Sequence, residues 1–165
     1  MQLDKILLFC FLTFTITTVF AQEPTGWIKL QSPTNETLRR LYFVDENNGW
    51  AVSLGGKIIS TTDAGNSWQI QNSMVTSPIV DIFFINPDRG WAITYPSEPP
   101  FGTSILTTSN GGTDWVKDSD FFENEIFSTI LFLDENVGFI GGNGIKKTTN
   151  SGLTWTNSFI EPGGV

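Results

Sequence analysis

The chain has 165 residues and a formal net charge of −8, so there is room for one ordinary domain with an acidic surface. Nucleic acid and anionic membrane surfaces both require clustered Lys and Arg, so neither is predicted as a partner. The chain has no His and only one Cys, which removes the commonest general base and leaves little scope for disulfide chemistry.

The first 21 residues are typical of a secretory signal peptide. Ile6–Phe20 is an apolar run, and Val19-Phe20-Ala21 resembles a cleavage site. A membrane-spanning helix needs about 20 apolar residues, so this shorter run does not favour an uncleaved anchor. Cys10 lies in the middle of the run, where lipid attachment is not expected. We therefore predict a mature domain over 22–165, outside the cytoplasm (periplasm, lumen or cell surface) and without membrane insertion.

One short phrase occurs three times, at 62–68, 109–115 and 149–155. Each copy reads hydroxyl, Asp or Asn, any residue, Gly, two further residues and Trp. Its shared positions are Asp63, Gly65, Trp68, Asn110, Gly112, Trp115, Asn150, Gly152 and Trp155. A phrase that recurs after 47 and then 40 residues indicates a repeat protein.

A second phrase precedes each copy, at 41–52, 82–93 and 130–141, and predicts a β-hairpin. It consists of an apolar run, a polar turn closed by Gly, and a second apolar run. A third strand leads into each Trp phrase (57–61, 104–108 and 144–148), and a fourth follows it, as at 68–71 and 155–159. Four-stranded antiparallel meanders repeated in this way are the blades of a β-propeller.

The predicted fold is therefore an all-β propeller of which about three blades are present. The boundaries are 22–40 for an N-terminal outer strand and link, 41–78 for blade 1, 79–125 for blade 2 and 126–165 for blade 3. Trp27 lies 14 residues before Leu41, as Trp68 lies 14 before Ile82, so Trp27 is expected to begin a lone outer strand. Propellers usually need about four to eight blades, so missing downstream blades or other copies are expected to close the ring.

One unit carries an insertion. Gly90 lies 25 residues before Trp115, whereas the matching spacings in the other units are 19 and 17. The surplus lies at 95–101, in the connection between the second and third strands. A meander places this connection, and the links between blades, on the face opposite the Trp phrases.

Variation in length on one face of a rigid scaffold is typical of a recognition surface. The candidate binding residues are Tyr95, Glu98 and Phe101 in the insertion and Asp120, Phe121, Phe122 and Glu123 in the link that follows blade 2. Two structural alternatives stay open: a stiff Pro-rich loop with a solvated acidic rim, and a link that Phe121 or Phe122 fastens to the core. The link has no ordered calcium-binding pattern, and we predict no metal and no cofactor.

The chemistry of the Trp phrases is structural. Asp or Asn accepts backbone N–H groups in a tight turn, Gly supplies positive φ, and Trp packs a large apolar ring. Two of the three copies have Asn where a catalytic carboxylate could not be replaced. We therefore predict no catalytic residues in these phrases.

These residues resemble the Asp-box, or BNR repeat, of sialidases and related propellers. Together with the hairpin phrase, they resemble the photosystem II stability and assembly factor family, the Ycf48-like propellers, over nearly all of 27–159. The resemblance implies a seven-bladed, non-catalytic propeller that assists protein assembly in photosynthesis, and a partner that is a protein, with carbohydrate as the alternative. Members are described as using an Arg-rich patch, whereas this chain has only Arg39, Arg40 and Arg89.

Two other functions stay open. A sialidase-like glycosidase resembles the chain in its boxes, but it needs three arginines on the substrate carboxylate and a Tyr nucleophile. Arg39, Arg40, Tyr42 and Tyr95 are present without the family's Arg-Ile-Pro context. The third reading is a structural repeat domain of a larger cell-surface adhesin.

Overall fold

A computed structural model describes residues 26–95, 101–117 and 122–158 of the chain. All regular structure in these ranges is β, in three four-stranded antiparallel sheets and one two-stranded ribbon. Each sheet is a meander in which consecutive strands are neighbours. The prediction of an all-β fold built from four-stranded blades is confirmed. In this described part, no helix is long and apolar enough to cross a membrane.

The strand bounds are as follows. Blade 1 contains β1 (Leu38–Phe43), β2 (Gly49–Ser53), β3 (Ile58–Thr61) and β4 (Gln69–Gln71). Blade 2 contains β5 (Ile79–Phe84), β6 (Gly90–Thr94), β8 (Ile105–Thr108) and β9 (Val116–Lys117). Blade 3 contains β11 (Phe127–Phe132), β12 (Gly138–Gly142), β13 (Ile145–Thr148) and β14 (Thr156–Asn157). The ribbon pairs β7 (Gly102–Thr103) with β10 (Phe122–Glu123).

The first strand of each blade starts earlier than the hairpin phrase indicates. β1 begins at Leu38, and a β-bulge between Leu38 and Arg40 shifts its register against β2. β5 and β11 have the same irregularity at the equivalent positions. An extra residue in one strand breaks the alternation of side chains, which is why the apolar period does not reveal these strand starts. Residues 26–37 form no strand and Trp27 is fully exposed, so the outer strand stays a prediction.

The glycine that closes each hairpin turn is required by close packing. A Cβ on Gly90 would lie 2.5 Å from the Phe84 ring, which is too close for two carbon atoms. The corresponding distances are 2.7 Å from Gly49 to the Phe43 ring and 2.6 Å from Gly138 to the Phe132 ring. No side chain larger than hydrogen fits beneath these rings. The Gly of the hairpin phrase therefore positions the Phe that ends each first strand.

Adjacent blades are joined through two aromatic stacks. Trp50 of blade 1 stacks on Phe84 of blade 2 with ring centroids 3.5 Å apart, and its indole N–H donates to Gly111 O at 3.1 Å. Trp91 of blade 2 stacks in the same way on Phe132 of blade 3 at 3.6 Å, and donates to Ser151 O at 3.0 Å. The Trp phrases supply the third ring of each cluster, because Trp115 packs edge-on against Phe84 and Trp155 against Phe132.

The hydrophobic core therefore lies between the blades. Each blade has a rear flank, which covers the next blade, and a front flank, which the preceding blade covers. The rear flank of blade 1 is formed by Trp50, Val52 and Ile58. It covers the front flank of blade 2, which is formed by Ile79, Ile82, Phe84, Ala92, Leu106 and Trp115. Full burial of one such side chain stabilises the fold by about 1.5–3 kcal/mol, so each blade depends on its neighbour.

Candidate functional site

The two ends of the blades form different surfaces. The hairpin turns and the Trp phrases lie together at one end, because Ala64, Gly111 and Ser151 donate their backbone N–H groups to Asn47, Asp88 and Asn136. We call this end the box face. The opposite end carries the connections between second and third strands and the links between blades, and we call it the loop face. Tyr95 and Phe101, which flank the undescribed part of the insertion, and the described end of the link that follows blade 2 belong to the loop face.

On the box face, each Trp phrase is a closed hydrogen-bonded turn. In the first copy, Asp63 accepts the backbone N–H of Ser67 at 2.8 Å and the hydroxyl of Thr61 at 2.7 Å. Gly65 has φ of +84°, and Gly112 and Gly152 adopt the same left-handed conformation. Asn110 and Asn150 accept the N–H groups of Asp114 and Thr154 in the same way. The Asp and Asn side chains thus form hydrogen bonds within their own turns and stabilise them.

The hydroxyl that organises each turn lies one position earlier than the phrase indicates. Thr61 Oγ1 accepts the buried backbone N–H of Gly65 at 3.0 Å, and Thr108 and Thr148 do the same for Gly112 and Gly152. The three Thr side chains end the third strands and are buried. The sequence carries a signal for them, since Thr stands two residues before Asp or Asn in all three copies.

Asp and Asn are not equivalent in these turns. Asp63 accepts a third hydrogen bond from the Ser67 hydroxyl at 2.6 Å, whereas the Asn110 amide donates to the Asp114 carboxylate at 2.9 Å. The bonds from Ser67 and Thr61 lower the pKa of Asp63 to about 2, because they favour the ionised form. Asp63 thus accepts from the side chain four residues later, whereas Asn110 and Asn150 donate to theirs, to the Asp114 carboxylate and the Thr154 hydroxyl.

On the loop face, the residues that end and follow the insertion pair with the described end of the link. β7 follows the insertion and pairs with β10 in the link, so that Thr103 lies opposite Phe122 and Gly102 opposite Glu123. Two further backbone bonds extend the pairing, from Asn124 N–H to Phe101 O at 2.9 Å and from Thr103 N–H to Glu125 O at 3.0 Å. Two segments about 20 residues apart therefore form one ribbon beside blades 2 and 3.

Lys146 of blade 3 anchors this ribbon. Its ammonium lies 3.0 Å from the Glu125 carboxylate and donates to Asn157 Oδ1 at 2.8 Å. It also lies 5.7 Å from the Phe122 ring and 5.8 Å from the Phe127 ring, within reach of cation–π attraction. The Lys146 side chain is only 13% exposed, so these contacts are better shielded than an ordinary surface pair.

The candidate binding residues separate into two groups. Tyr95, Phe101 and Glu123 are exposed: Phe101 precedes β7, Glu123 belongs to β10, and Tyr95 follows β6. Phe122 is half-buried and packs edge-on against Phe127 at 5.2 Å, so it fastens the link to the core. Three further candidates, Glu98, Asp120 and Phe121, lie outside the described residues.

Two of the three arginines lie together and the third lies on the box face. Arg39 and Arg40 line a groove of about 360 Å³ between the first strands, and Arg40 Nε lies 2.9 Å from the buried carboxylate of Asp81. Asp81 also accepts the backbone N–H of Ile130 at 2.9 Å, so it joins all three blades. Arg89 lies on the box face, 4.9 Å from the Trp91 ring. The Arg-rich patch implied by the family resemblance is thus not assembled in the described structure.

The tyrosine considered for a glycosidase has a structural position. The Tyr42 hydroxyl donates to Phe84 O at 2.9 Å, and its ring packs against Phe83 at 5.2 Å. Burial raises the pKa of this phenol, which disfavours the phenolate that a nucleophile requires. Among the described residues, no group of three or more Asp, Glu, Cys or His side chains could hold a metal ion.

Comparison with known proteins agrees with this fold. No family model matches the chain. Over 67 residues, or 41% of this chain, it is 28% identical to the photosystem II assembly protein Ycf48 of Thermosynechococcus vestitus, of which it covers 19%. Among solved structures, YCF48 bound to D1 peptide superposes with a TM-score of 0.68 at 23% identity, over 83% of this chain and 45% of that one.

Two further solved structures share the fold. YCF48 from Cyanidioschyzon merolae matches with a TM-score of 0.65 at 21% identity, over 78% of this chain and 41% of that one. An ancestral GH74 enzyme matches with a TM-score of 0.61 at 18% identity, over 73% of this chain and 18% of that one. The chain thus spans less than half the length of each of these relatives. The chain therefore has the β-propeller fold of these structures, and over 67 residues it is similar in sequence to Ycf48.

Proposed function

We propose that the chain is a non-catalytic module that binds a protein partner through its loop face and serves as a scaffold for assembly. The observation that carries the proposal is the ribbon of β7 and β10. It joins the residues that follow the insertion to the end of the link, and Phe101 and Glu123 are exposed beside it, as is Tyr95 at the end of β6. The likeness to an assembly protein and to YCF48 bound to D1 peptide supports a protein or peptide as the partner.

The chemistry of this surface indicates what kind of partner fits. Two exposed aromatic rings, Tyr95 and Phe101, offer large contact areas with little rotamer entropy to lose. The net charge of −8 and the exposed Glu123 favour a partner that is basic around an apolar centre. Lys146 does not oppose this preference, because its charge is paired with Glu125.

The proposal includes the setting in which the module works. Residues 1–21, which have the pattern of a signal peptide, would direct the chain out of the cytoplasm. Further blades would complete the ring, since the front flank of blade 1 and the rear flank of blade 3 are open here. A photosystem role is a narrower form of the proposal, and direct titration with D1 peptide tests it separately.

Site-specific photo-crosslinking in the cells that produce the chain tests the binding face. A photoreactive phenylalanine analogue replaces Tyr95 or Phe101 on the loop face, and in matched controls it replaces Leu153 or Val116, which are also exposed but lie away from it. We expect one and the same protein to be captured from both loop-face positions and from neither control position. Capture at the controls alone, or at all four positions equally, would refute binding through the loop face. Failure of D1 peptide to bind would remove only the photosystem role.

A further inference from the structure

One strand pair of blade 3 places an amine against a side-chain amide. Lys146 of β13 lies directly opposite Asn157 of β14, and its Nζ is 2.8 Å from Asn157 Oδ1. We infer that these two side chains join in an amide crosslink, with Glu125 as the proton acceptor and with release of ammonia. The reaction takes place once, within the chain itself, so the inference does not depend on the function proposed for the loop face.

Lys146 stands at a position that is apolar in the other blades. Ile59 of blade 1 and Leu106 of blade 2 hold the same register against the second strand and are at most 2% exposed. The Lys146 side chain is 13% exposed, and its ammonium lies 5.7 Å from the Phe122 ring and 5.8 Å from the Phe127 ring. Shielding by these rings removes part of the hydration shell that competes with attack by an ordinary surface amine.

The amide carbon lies within reach of this nitrogen. Asn157 Cγ is one C=O bond, about 1.2 Å, from Oδ1, so Nζ is no more than about 4 Å from it. Reacting atoms in a near-attack arrangement lie about 3–3.5 Å apart, so a small side-chain rotation is sufficient. The pairing of β13 with β14 holds the two backbones in this register.

Glu125 completes the reacting group. Its carboxylate lies 3.0 Å from Nζ and takes the proton that the ammonium must lose before it can attack. Nζ then forms a bond to Asn157 Cγ, and the bond from Cγ to Nδ2 breaks. Glu125 gives its proton to Nδ2, which leaves as ammonia, and takes up the second proton of Nζ, which it releases to solvent. No oxidant or other reactant is consumed.

The other two blades do not repeat this arrangement. At the same register, Ile59 lies opposite Ile70 and Leu106 lies opposite Lys117, so neither pair contains an amide. Lys147, the next residue of β13, lies opposite a Thr. The crosslink would enclose the third Trp phrase and join β14, which is two residues long, covalently to its blade.

Peptide mapping of the purified full chain tests the crosslink. Trypsin does not cleave after an acylated Lys146, so mass spectrometry should find peptides 118–147 and 148–165 joined, and lighter than their sum by one ammonia. The joined pair should be absent from Lys146→Arg and from Asn157→Ala. Lys147→Arg is the matched control and should retain it. Near-ultraviolet circular dichroism verifies the fold of each variant.

Two further variants test the chemistry rather than the contact. Asn157→Asp should still form the crosslink but lose water in place of ammonia, an outcome that a hydrogen bond alone does not produce. Glu125→Gln should slow the reaction about 100-fold, measured as the joined fraction over time after synthesis.

Complete cleavage after Lys146 in the folded chain, with peptide 148–165 released alone, would overturn the inference. A joined pair that persists in Lys146→Arg would overturn it as well. An unchanged rate in Glu125→Gln would overturn the role of Glu125.

Discussion

Replacement of Trp91 by Phe tests the contact that joins blade 2 to blade 3. Trp91 is fully buried, stacks on Phe132 and donates its indole N–H to Ser151 O at 3.0 Å. Phe preserves the stack but removes this hydrogen bond, which is worth about 1 kcal/mol. It also withdraws roughly 40 Å² of apolar surface, worth about 1 kcal/mol more. We therefore expect the free energy of unfolding to fall by about 2 kcal/mol.

Urea denaturation followed by far-ultraviolet circular dichroism measures this loss without depending on Trp fluorescence. Trp27→Phe is the matched control, because Trp27 is fully exposed and should leave the midpoint unchanged. If Trp91→Phe costs no more than Trp27→Phe, then neither the indole hydrogen bond nor the larger buried area of Trp91 stabilises the contact between blades 2 and 3.

Three further predictions concern the Trp phrases. Thr108→Val should lower the free energy of unfolding by about 1–3 kcal/mol in urea titrations, because the buried N–H of Gly112 loses its acceptor. Asn110→Asp should destabilise by about 1 kcal/mol at neutral pH in the same titrations, because it sets a second carboxylate against Asp114. Asn150→Asp is the matched control and should not show this loss, because Asn150 faces the Thr154 hydroxyl. The pKa of Asp63 is about 2 in the folded chain and lies below its ordinary value, so its stabilising contribution is complete at neutral pH and is lost as the pH falls from about 4 to about 2. Acid unfolding of Asp63→Asn should therefore be less steep across that window, and identical curves for the two chains would contradict the hydrogen-bonding account of the turn.

The parts of the fold that the sequence predicts are those set by local chemistry. Alternating apolar runs, Gly-closed turns and the Trp phrase each act over fewer than about ten residues, so the four strands of each blade follow from them. The placement of the insertion on the loop face follows as well, because a meander alternates its connections between two ends. The strand starts at Leu38, Ile79 and Phe127 do not follow, because the bulges interrupt the period.

The parts that the sequence does not predict depend on contacts between distant segments. Nothing local indicates that Thr103 pairs with Phe122, or that Lys146 of blade 3 holds Glu125 of the link. The stacks of Trp50 and Trp91 on the following blade are another example, although the recurrent Gly-Trp pair hints at a shared role. The Thr whose hydroxyl accepts the Gly N–H in each turn is also a local feature. It was missed because it is the last residue of a strand and therefore precedes the phrase that predicts the turn.

The central claim is that the loop face is the recognition surface. The affinity of surface variants for the partner tests this claim most directly. The protein captured by crosslinking is purified and titrated with the unmodified chain, with Tyr95→Ser/Phe101→Ser, and with the control Leu153→Ser/Val116→Ser. We predict that the loop-face variant weakens binding by about tenfold or more, because buried aromatic rings dominate such interfaces, while the control changes it less than about twofold. Equal affinity of all three chains, or a loss confined to the control, would contradict the account.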